Sequence, residues 1–425
     1  MDGREKANGA VKVDVRSKIK AVGGLLLVFL GGLVQLDLGR ALSADSSNPS
    51  PLASRPAPPA SNQPERHLAN IRQLTFGNKN AEAYFSFEGT KLVFQSTNNW
   101  IGRTDATNRT ESGASLGCYQ IYVLDLETDH VRLVSNGQGA TTCGYFFPGG
   151  RRVLYSSTHL KGAQCPPQPK REAGRYRWAL DDYDIFSVRL DGQQMQRMTH
   201  TGGYDAEATI SPDGKTIVFT SVRDGDLDLY AMNLDGTHVR RLTHEIGYDG
   251  GAFFSPDSRR IVYRAHHPTD LAELDAYKAL LAQRLVEPGQ LEIFIMNADG
   301  SGKRQVTSNG ASNFAPFFHP DGRRIIFSSN LPPSRTLPLE GGGMGGQART
   351  LPLEGGEMGG GEKVRPAFHL YLITDDGTGL EPVTSEGQFN SFPMFSPDGK
   401  RLVWISDRNA KAPGEFNIFM ADWVE

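Results

Sequence analysis

The chain has 425 residues, a net charge of −3, 38% apolar residues and 22% charged residues. This apolar fraction excludes a wholly disordered chain, and the near-neutral charge gives no reason to expect nucleic acid as a partner. Three cysteines without zinc-finger spacing exclude a disulfide-rich framework. The 48 glycines and 25 prolines exceed the average for this length and favour turn-rich, mostly β structure.

Residues 1–43 are predicted to be an export signal. A basic start precedes the largely apolar stretch Ala21–Leu36, and Ala41-Leu42-Ser43 offers small residues at the cleavage spacing. The apolar stretch is short for a membrane span of about 20 residues, so an uncleaved anchor is the alternative interpretation. No second span follows, so we expect a periplasmic or secreted protein without an integral span after cleavage. Residues 44–69 are rich in Pro, Ser and Ala and are predicted to be an extended linker.

Six similar blocks recur over residues 70–425. Each contains a turn of the Ser-Pro-Asp-Gly type, and the six copies are Phe87–Gly89, Phe147–Gly150, Ser211–Gly214, Ser255–Asp257, His319–Gly322 and Ser396–Gly399. Each block also has four short β-patterned runs, which we name d, a, b and c in chain order. Run d is of the Arg-x-Leu-Thr type, a and b flank the turn, and c follows b. Four antiparallel strands repeated six times predict an all-β, six-bladed β-propeller.

The order of the runs predicts how the ring closes. The repeats begin on a d run, Arg72–Thr75, and end on a c run, Asn417–Ala421. The last blade therefore lacks an outer strand of its own, and Arg72–Thr75 is expected to supply it, which leaves no unpaired edge there.

These motifs resemble the TolB-type, WD-related propeller repeats of exported bacterial proteins, over roughly residues 70–425. The resemblance implies a six-bladed ring, which in that family often serves as a platform for protein interactions.

Strand alternation places the b–c and d–a loops on one face, which we call the insertion face. Long insertions fall in the b–c loops at about residues 97–117, 159–182, 267–290 and 331–367. Their clustering on one face predicts a binding surface, although loops also lengthen where nothing obstructs them. Asp270–Glu287 has apolar residues at helical spacing and a capping-box start, which predicts one helix packed on the propeller. The duplicated Gly-rich segment within 331–367 is predicted to be disordered.

Two sets of equivalent positions are candidates for the lining of the central channel. Seven residues before the turn proline stand Asn80, Thr141, Asp205, Asp249, Asn313 and Asn390, and two residues later stand Glu82, Cys143, Glu207, Gly251, Ala315 and Phe392. One of these sets is expected to border the channel, with the first set at its mouth.

The candidate ligand-binding residues at this mouth are Asp205, Glu207, Asp249, Asn313, Asn390, His159, Arg223, His267 and Arg408. An acidic mouth suits a peptide amine or a basic side chain. A divalent cation held by Asp205, Asp249 and His267 is a weaker alternative, because no ligand spacing is diagnostic. A third interpretation is structural, with these polar residues bonded to neighbouring loops or to water. We therefore predict no catalytic residue, no resident metal and no cofactor.

An oxidising compartment would allow one disulfide among Cys118, Cys143 and Cys165. Cys118 and Cys143 both fall near the insertion face of adjacent blades, and Cys165 lies in an insertion. Both Cys143–Cys165 and Cys118–Cys143 are considered.

The predicted function is non-catalytic binding of a protein, a peptide or another envelope ligand at the insertion face and the channel mouth. One alternative is a metal-dependent propeller hydrolase or lyase that uses Asp205, Glu207, Asp249 and His267. The other is a purely structural scaffold subunit.

Overall fold

The computed structural model describes residues 65–99, 115–169, 177–332 and 366–425. The predicted export signal, most of the predicted linker and the duplicated Gly-rich segment lie outside these residues. Among the described residues, no helix combines the length and the apolar character needed to cross a bilayer.

Six four-stranded antiparallel sheets make up the described part of the chain, which confirms the propeller. Each blade contributes its strands in the predicted order. Blade I contains β2 (Asn80–Phe85), β3 (Lys91–Asn98), β4 (Ser115–Asp125) and β5 (Val131–Leu133). Blade II contains β6 (Thr141–Phe146), β7 (Arg152–Ser157), β9 (Asp184–Arg189) and β10 (Gln196–Arg197). Blade III contains β11 (Asp205–Ile210), β12 (Thr216–Ser221), β13 (Asp228–Asn233) and β14 (Arg240–Arg241).

The other three blades follow the same plan. Blade IV contains β15 (Tyr248–Phe254), β16 (Arg260–His266), β18 (Glu292–Asn297) and β19 (Arg304–Gln305). Blade V contains β20 (Asn313–Phe318), β21 (Arg324–Ser329), β22 (His369–Thr374) and β23 (Glu381–Pro382). Blade VI contains β24 (Asn390–Phe395), β25 (Arg401–Ser406), β26 (Asn417–Trp423) and, as its outer strand, β1 (Leu68–Gln73).

The ring closes as predicted. Gln73 pairs with Phe419 in an antiparallel register, and the Leu74 amide donates to the Ile418 carbonyl at 2.7 Å. Strand β1 begins at Leu68, so the last residues of the predicted linker belong to the propeller. Glu65 extends the closure, because its two carboxylate oxygens accept from Arg408 at 2.8 and 3.0 Å.

The hydroxyl at the end of each d run explains why this run is so regular in the sequence. It accepts a hydrogen bond from the backbone amide of the c-strand residue that lies just beyond the last pair with the outer strand. The six acceptor hydroxyls belong to Thr75, Ser135, Thr199, Thr243, Thr307 and Thr384, at 2.8 to 3.0 Å. A side chain thus satisfies a buried backbone donor that the ladder would otherwise leave unpaired.

The Ser-Pro-Asp-Gly turns are held by their own side chains. In blade III the Ser211 hydroxyl donates to Asp213 at 2.6 Å and accepts from the Thr216 amide at 3.0 Å. Gly214 adopts a φ of +68°, which a residue without Cβ reaches at little cost. Apolar residues of the b strands, such as Ile217 and Phe219 beyond this turn, are fully buried in the layers between blades.

The predicted helix is confirmed, but it is shorter than expected. Helix α1 covers Leu271–Leu281, and the Asp270 carboxylate accepts from the Glu273 amide at 2.9 Å as its N-cap. It ends before Glu287 because Leu285–Val286 forms strand β17, which pairs with β8 (Trp178–Ala179) of the blade II insertion. Tyr277 and Leu281 pack against the propeller, whereas Leu271 is 77% exposed.

Both considered disulfide pairings are wrong. Cys118 of β4 is bonded to Cys165 of the blade II insertion, with Cα atoms 5.7 Å apart, and Cys143 carries a free thiol. Cys143 stands on the innermost strand β6 and lines the central cavity.

Candidate functional site at the central channel

A β-bulge recurs at the third residue of five innermost strands and at the fourth residue of β15, which begins one residue earlier. The pairing register shifts there in all six blades. The residue at the bulge has a positive φ of 50 to 61° in each blade; the six residues are Glu82, Cys143, Glu207, Gly251, Ala315 and Phe392. All six line one cavity on the axis of the ring. Of the two sets considered from the sequence, it is therefore the second that borders this cavity.

Aromatic rings close the channel directly beyond the bulges. Tyr84 and Phe253 come from opposite blades, I and IV, yet their ring centroids are 5.3 Å apart. Tyr145 lies 6.0 Å from Tyr84, and Phe317 lies 5.3 Å from Phe253. The cavity therefore has a floor, and we call the space between this floor and the insertion face the channel chamber. It encloses about 350 Å³, part of it open to solvent.

One side of the channel chamber is built around the ion pair of Arg264 and Glu207. Arg264 reaches in from the b strand β16, and its guanidinium donates to Glu207 Oε1 and to the Tyr248 hydroxyl at 2.7 and 2.9 Å. Glu207 Oε2 accepts from the Thr220 hydroxyl at 2.7 Å and from the Gly251 amide at 2.9 Å. Both charges of this pair are thus satisfied by protein groups.

Glu82 differs from Glu207 because one of its oxygens has no protein partner. Its Oε2 atom is buried, and no hydrogen-bond partner for it is present among the described residues. The pKa of Glu82 is raised to about 7, chiefly by burial and also by the charge of Glu207, while the Cys143 thiol and Arg264 act in the opposite direction. Burial likewise raises the pKa of Cys143 above its ordinary value, so the thiol is protonated near neutral pH.

Aromatic side chains surround the rim of the channel chamber. On the side of blades II to IV, Trp178 of β8 lies 6.1 Å from Tyr248, and the Arg264 guanidinium lies 5.3 Å from the Trp178 ring centroid. Tyr183 and Tyr204 pack edge to face at 5.9 Å. On the other side Phe314 lies 5.9 Å from Phe392 and is itself in contact with further phenylalanines.

Four of the predicted binding residues lie at the buried start of their strands. Asp205 accepts from the hydroxyls of Thr201 and Ser221 at 2.7 and 2.5 Å and from Arg223 at 2.9 Å. The Asn313 amide donates to the Leu291 carbonyl at 3.0 Å, and that of Asn390 donates to the Glu386 carbonyl at 2.8 Å. Asp249 is fully buried beneath His267. The carboxylates and amides of these four residues are thus bonded to neighbouring protein groups.

The four predicted residues of the b–c loops are held by contacts of the same kind. Arg223 pairs with Asp205 and lies over the rings of Phe219 and Tyr230. Arg408 is used in ring closure. His159 Nδ1 is 2.8 Å from the Ser157 hydroxyl.

His267 Nε2 lies 3.3 Å from both oxygens of Asp249. Burial alone would lower the pKa of His267, but its hydrogen bond to Asp249 and the charge of that residue outweigh this effect and raise it.

The residues considered for a metal do not converge. His267 meets Asp249, whereas both oxygens of Asp205 are occupied by Arg223 and by hydroxyl groups. In the described part of the chain, no group of three or more His, Cys, Asp or Glu side chains could hold a metal ion.

Sequence reasoning did not single out Arg264. The equivalent positions of the other b strands hold smaller or neutral side chains: Gln95, Ser156, Thr220, Ser328 and Ile405. The one arginine in this series stands on the strand that pairs with the only glycine among the described bulge residues. This combination was the sequence signal that could have identified Arg264.

Comparison with known proteins agrees with the fold. Residues 178–280 match the family model of the TolB beta propeller domain. A protein assigned as TolB from Agrobacterium tumefaciens is 18% identical, with 82% of this chain and 91% of that chain covered and a TM-score of 0.46. TolB from Acinetobacter baumannii is 18% identical, with 73% and 56% covered and a TM-score of 0.44. A gluconolactonase from Xanthomonas campestris is 13% identical, with 84% and 91% covered and a TM-score of 0.49.

All three identities are at or below 18%, a level at which a shared propeller does not indicate a shared activity. The family match covers part of blades II to IV, and the described residues form six blades of four strands closed by the first strand of the ring. The chain is a six-bladed β-propeller whose residues 178–280 resemble the TolB beta propeller domain.

Proposed function

We propose that this protein is an exported, non-catalytic propeller that binds a protein, a peptide or another envelope ligand at its insertion face and channel mouth. One observation carries the proposal. The insertions of blades II and IV reach each other past blade III and pair as strands β8 and β17, beside the mouth of the channel chamber. Separate loops that had lengthened without a role would have no reason to build a shared structure.

The chemistry of this surface suits a ligand with mixed polar and apolar character. Trp178, Tyr183 and Tyr204 are half-buried, so each ring keeps part of its surface available. Aromatic side chains of this kind supply large contact areas at low conformational cost, and they are enriched where proteins bind each other. Blade III has only a short b–c turn, and the paired insertions rest on it, with the Tyr277 hydroxyl donating to Asp226 of this turn.

Export is part of the proposal and rests on the basic start and the apolar stretch of residues 1–43. The Cys118–Cys165 disulfide is consistent with an oxidising compartment.

The test is a quantitative capture experiment from envelope extract with the full chain. In the test variant, residues 268–289 are replaced by a short turn with the sequence of Arg223–Leu227 of blade III, which removes α1 and β17. The control variant carries Arg259→Ala in an exposed turn on the opposite face. We expect the control to capture the same partner as the native chain and the test variant to lose it, with both shown to be folded by circular dichroism.

Equal capture by the test variant would overturn the proposal. A stoichiometric metal in the purified protein that is lost in both Asp205→Ala and His267→Ala would instead favour the hydrolase or lyase.

A further inference from the structure

We propose that the channel chamber binds one protonated primary amine, with the Glu82 carboxylate as its ionic partner. The amine comes either from a small free alkylamine or from a lysine side chain or N-terminus of a polypeptide. This inference rests on the proposed function, since the ligand enters through the same channel mouth, and it specifies what the deepest part of that site recognises.

Among the described residues that line the channel chamber, the hydrogen-bond inventory leaves one buried side-chain acceptor without a partner. Glu207 and Arg264 satisfy each other, with Tyr248, Thr220 and the Gly251 amide completing the set. Glu82 Oε2 is left buried without a partner among the described residues. A buried acceptor in this condition is costly, so a ligand that donates a hydrogen bond to it gains more than an exposed contact would.

The net charge of the channel chamber favours a cation. The opposite charges of Glu207 and Arg264 cancel, so an ionised Glu82 leaves the channel chamber with a net negative charge. An anion would meet this charge without a free cation to hold it, because the Arg264 guanidinium is already engaged. A cation is therefore the charged group that this chamber accepts.

The acceptors available in the channel chamber suit an amine better than other cations. A divalent metal ion needs several ligand atoms, and the described residues offer no group of three ligating side chains. A guanidinium brings five N–H donors, whereas Glu82 Oε2 is the one buried side-chain acceptor without a partner among the described residues that line the chamber. An ammonium group needs one carboxylate oxygen and tolerates aromatic faces around it, and Tyr84, Tyr145 and Phe392 line or floor the chamber.

Binding of an amine in the channel chamber is also expected to release a proton. The groups that face Glu82 are Cys143 of β6, Glu207 of β11, Arg264 of β16 and Tyr84 of its own strand. Burial raises the pKa of Glu82 to about 7, so near pH 6 this carboxyl is mostly protonated when the chamber is empty. An ammonium group favours the ionised form, and binding near this pH therefore releases a proton.

The experiment is isothermal titration of the full chain near pH 6 with n-butylammonium, with n-butanol as the uncharged isostere. A second arm uses the peptide acetyl-Gly-Lys-Gly-amide and its ε-acetylated form. Each ligand is titrated into the native chain, into Glu82→Gln and into Glu88→Gln, whose exposed carboxylate lies in the turn at the opposite face. Repeating the titration in buffers of different ionisation enthalpy counts the protons released.

We expect an amine to bind the native chain and Glu88→Gln alike, with release of a fraction of a proton. Glu82→Gln is expected to lose about tenfold or more in affinity and the proton release with it, because a charge-assisted hydrogen bond is lost. Binding of butylammonium alone identifies a small amine as the source, and tighter binding of the lysine peptide identifies a polypeptide; both outcomes support the inference.

Equal amine affinity of native chain and Glu82→Gln, or no amine binding to the folded native chain, would overturn the inference. If Glu82→Gln does not fold, Glu82→Asp replaces it, because aspartate keeps the charge but places it one methylene further back. An amine affinity that is unchanged in Glu82→Asp also counts against the proposal. If the native chain captures its partner through the insertions but binds no amine, this inference is wrong and the proposed function stands.

Discussion

Gly251 is the one glycine among the six described bulge residues, and the position of Arg264 gives the reason. A Cβ at Gly251 would lie 2.5 Å from Arg264 Nη1 and 2.8 Å from its Cζ atom. Backbone conformation does not demand glycine, because Glu, Cys, Ala and Phe adopt the same positive φ in the other blades. The glycine is therefore needed for space, and that space lets Arg264 of blade IV reach Glu207 of blade III.

Gly251→Ala should consequently cost more stability than the same change at a glycine of similar φ in open space. Gly310 is the matched control, with a φ of +69° and no heavy atom within 4 Å of the place that a Cβ would occupy. The control should lose about 1 kcal/mol from the left-handed backbone alone. Gly251→Ala should lose about 2 to 4 kcal/mol more, because it displaces one partner of a buried ion pair. Urea unfolding of both variants measures the difference, and equal losses would contradict the explanation.

Glu82 should make the unfolding free energy depend on pH in an unusual direction for a carboxyl. Its pKa is raised from 4.5 to about 7 in the folded chain, so between these values the folded state holds a proton that the unfolded state has lost. Its contribution is therefore fully present below pH 4.5 and is lost as the pH rises through 7, up to about 3 kcal/mol.

Glu82→Gln removes this titration and leaves the other groups in place. Between about pH 5 and pH 8 the native chain should lose stability relative to Glu82→Gln, measured by denaturant unfolding at each pH. Glu88→Gln serves as the control, and its difference from the native chain should stay constant. A difference between the native chain and Glu82→Gln that stays constant from pH 5 to pH 8 would show that Glu82 is ionised in the folded state throughout, and would contradict the prediction.

At the scale of elements, short motifs in the sequence supply side chains that complete specific hydrogen bonds of the strands and turns. The outer strands of blades II to V pair through only two residues each, and the threonine that follows satisfies the next amide of the c strand. The Pro-Asp-Gly turns join the a and b strands by side-chain bonds within the turn. These local hydrogen bonds recur because each blade has the same backbone groups to satisfy. This repetition allowed the blades to be counted from the sequence.

The first strand depends on a buried ion pair as well as on its backbone ladder. The side chains of Glu65 and Arg408 are 9% and 5% exposed, and Arg408 also lies 5.1 Å from the Trp404 ring centroid. Arg408 was predicted as a binding residue. In the structure its guanidinium pairs with Glu65 and so holds the segment before β1.

Glu65→Gln should therefore destabilise the ring by about 3 kcal/mol, because it leaves the Arg408 charge buried without its partner. Arg66→Gln is the neighbouring control. It removes the pair with Glu381, in which Arg66 is 65% exposed, and should change stability by less than about 1 kcal/mol. Thermal unfolding with hydrogen exchange of the Leu74 amide checks both effects. Equal behaviour of the two variants would show that the backbone pairing alone closes the ring.

At the scale of the whole molecule, the ring brings together residues that are far apart in sequence. Tyr84 and Phe253 meet across the axis, and the insertions of blades II and IV pair although blade III lies between them in the chain. Both contacts follow from six blades packed around one centre. The result is a chamber that is closed on one side by aromatic rings and bordered by insertions on the other.

The sequence by itself determined the number of blades, the order of their strands, the ring closure and the capped helix, because these depend on local turns and on alternating patterns. It narrowed the channel lining to two sets of residues but did not choose between them. The choice depends on a bulge that Glu, Cys, Gly, Ala and Phe all occupy, so residue type does not reveal it.

Only the tertiary structure decided the reach of Arg264, the unpartnered oxygen of Glu82 and the Cys118–Cys165 pairing. Each of these depends on the distance between side chains of different blades. Such distances are set by how the blades pack around the axis, and no single repeat contains that information.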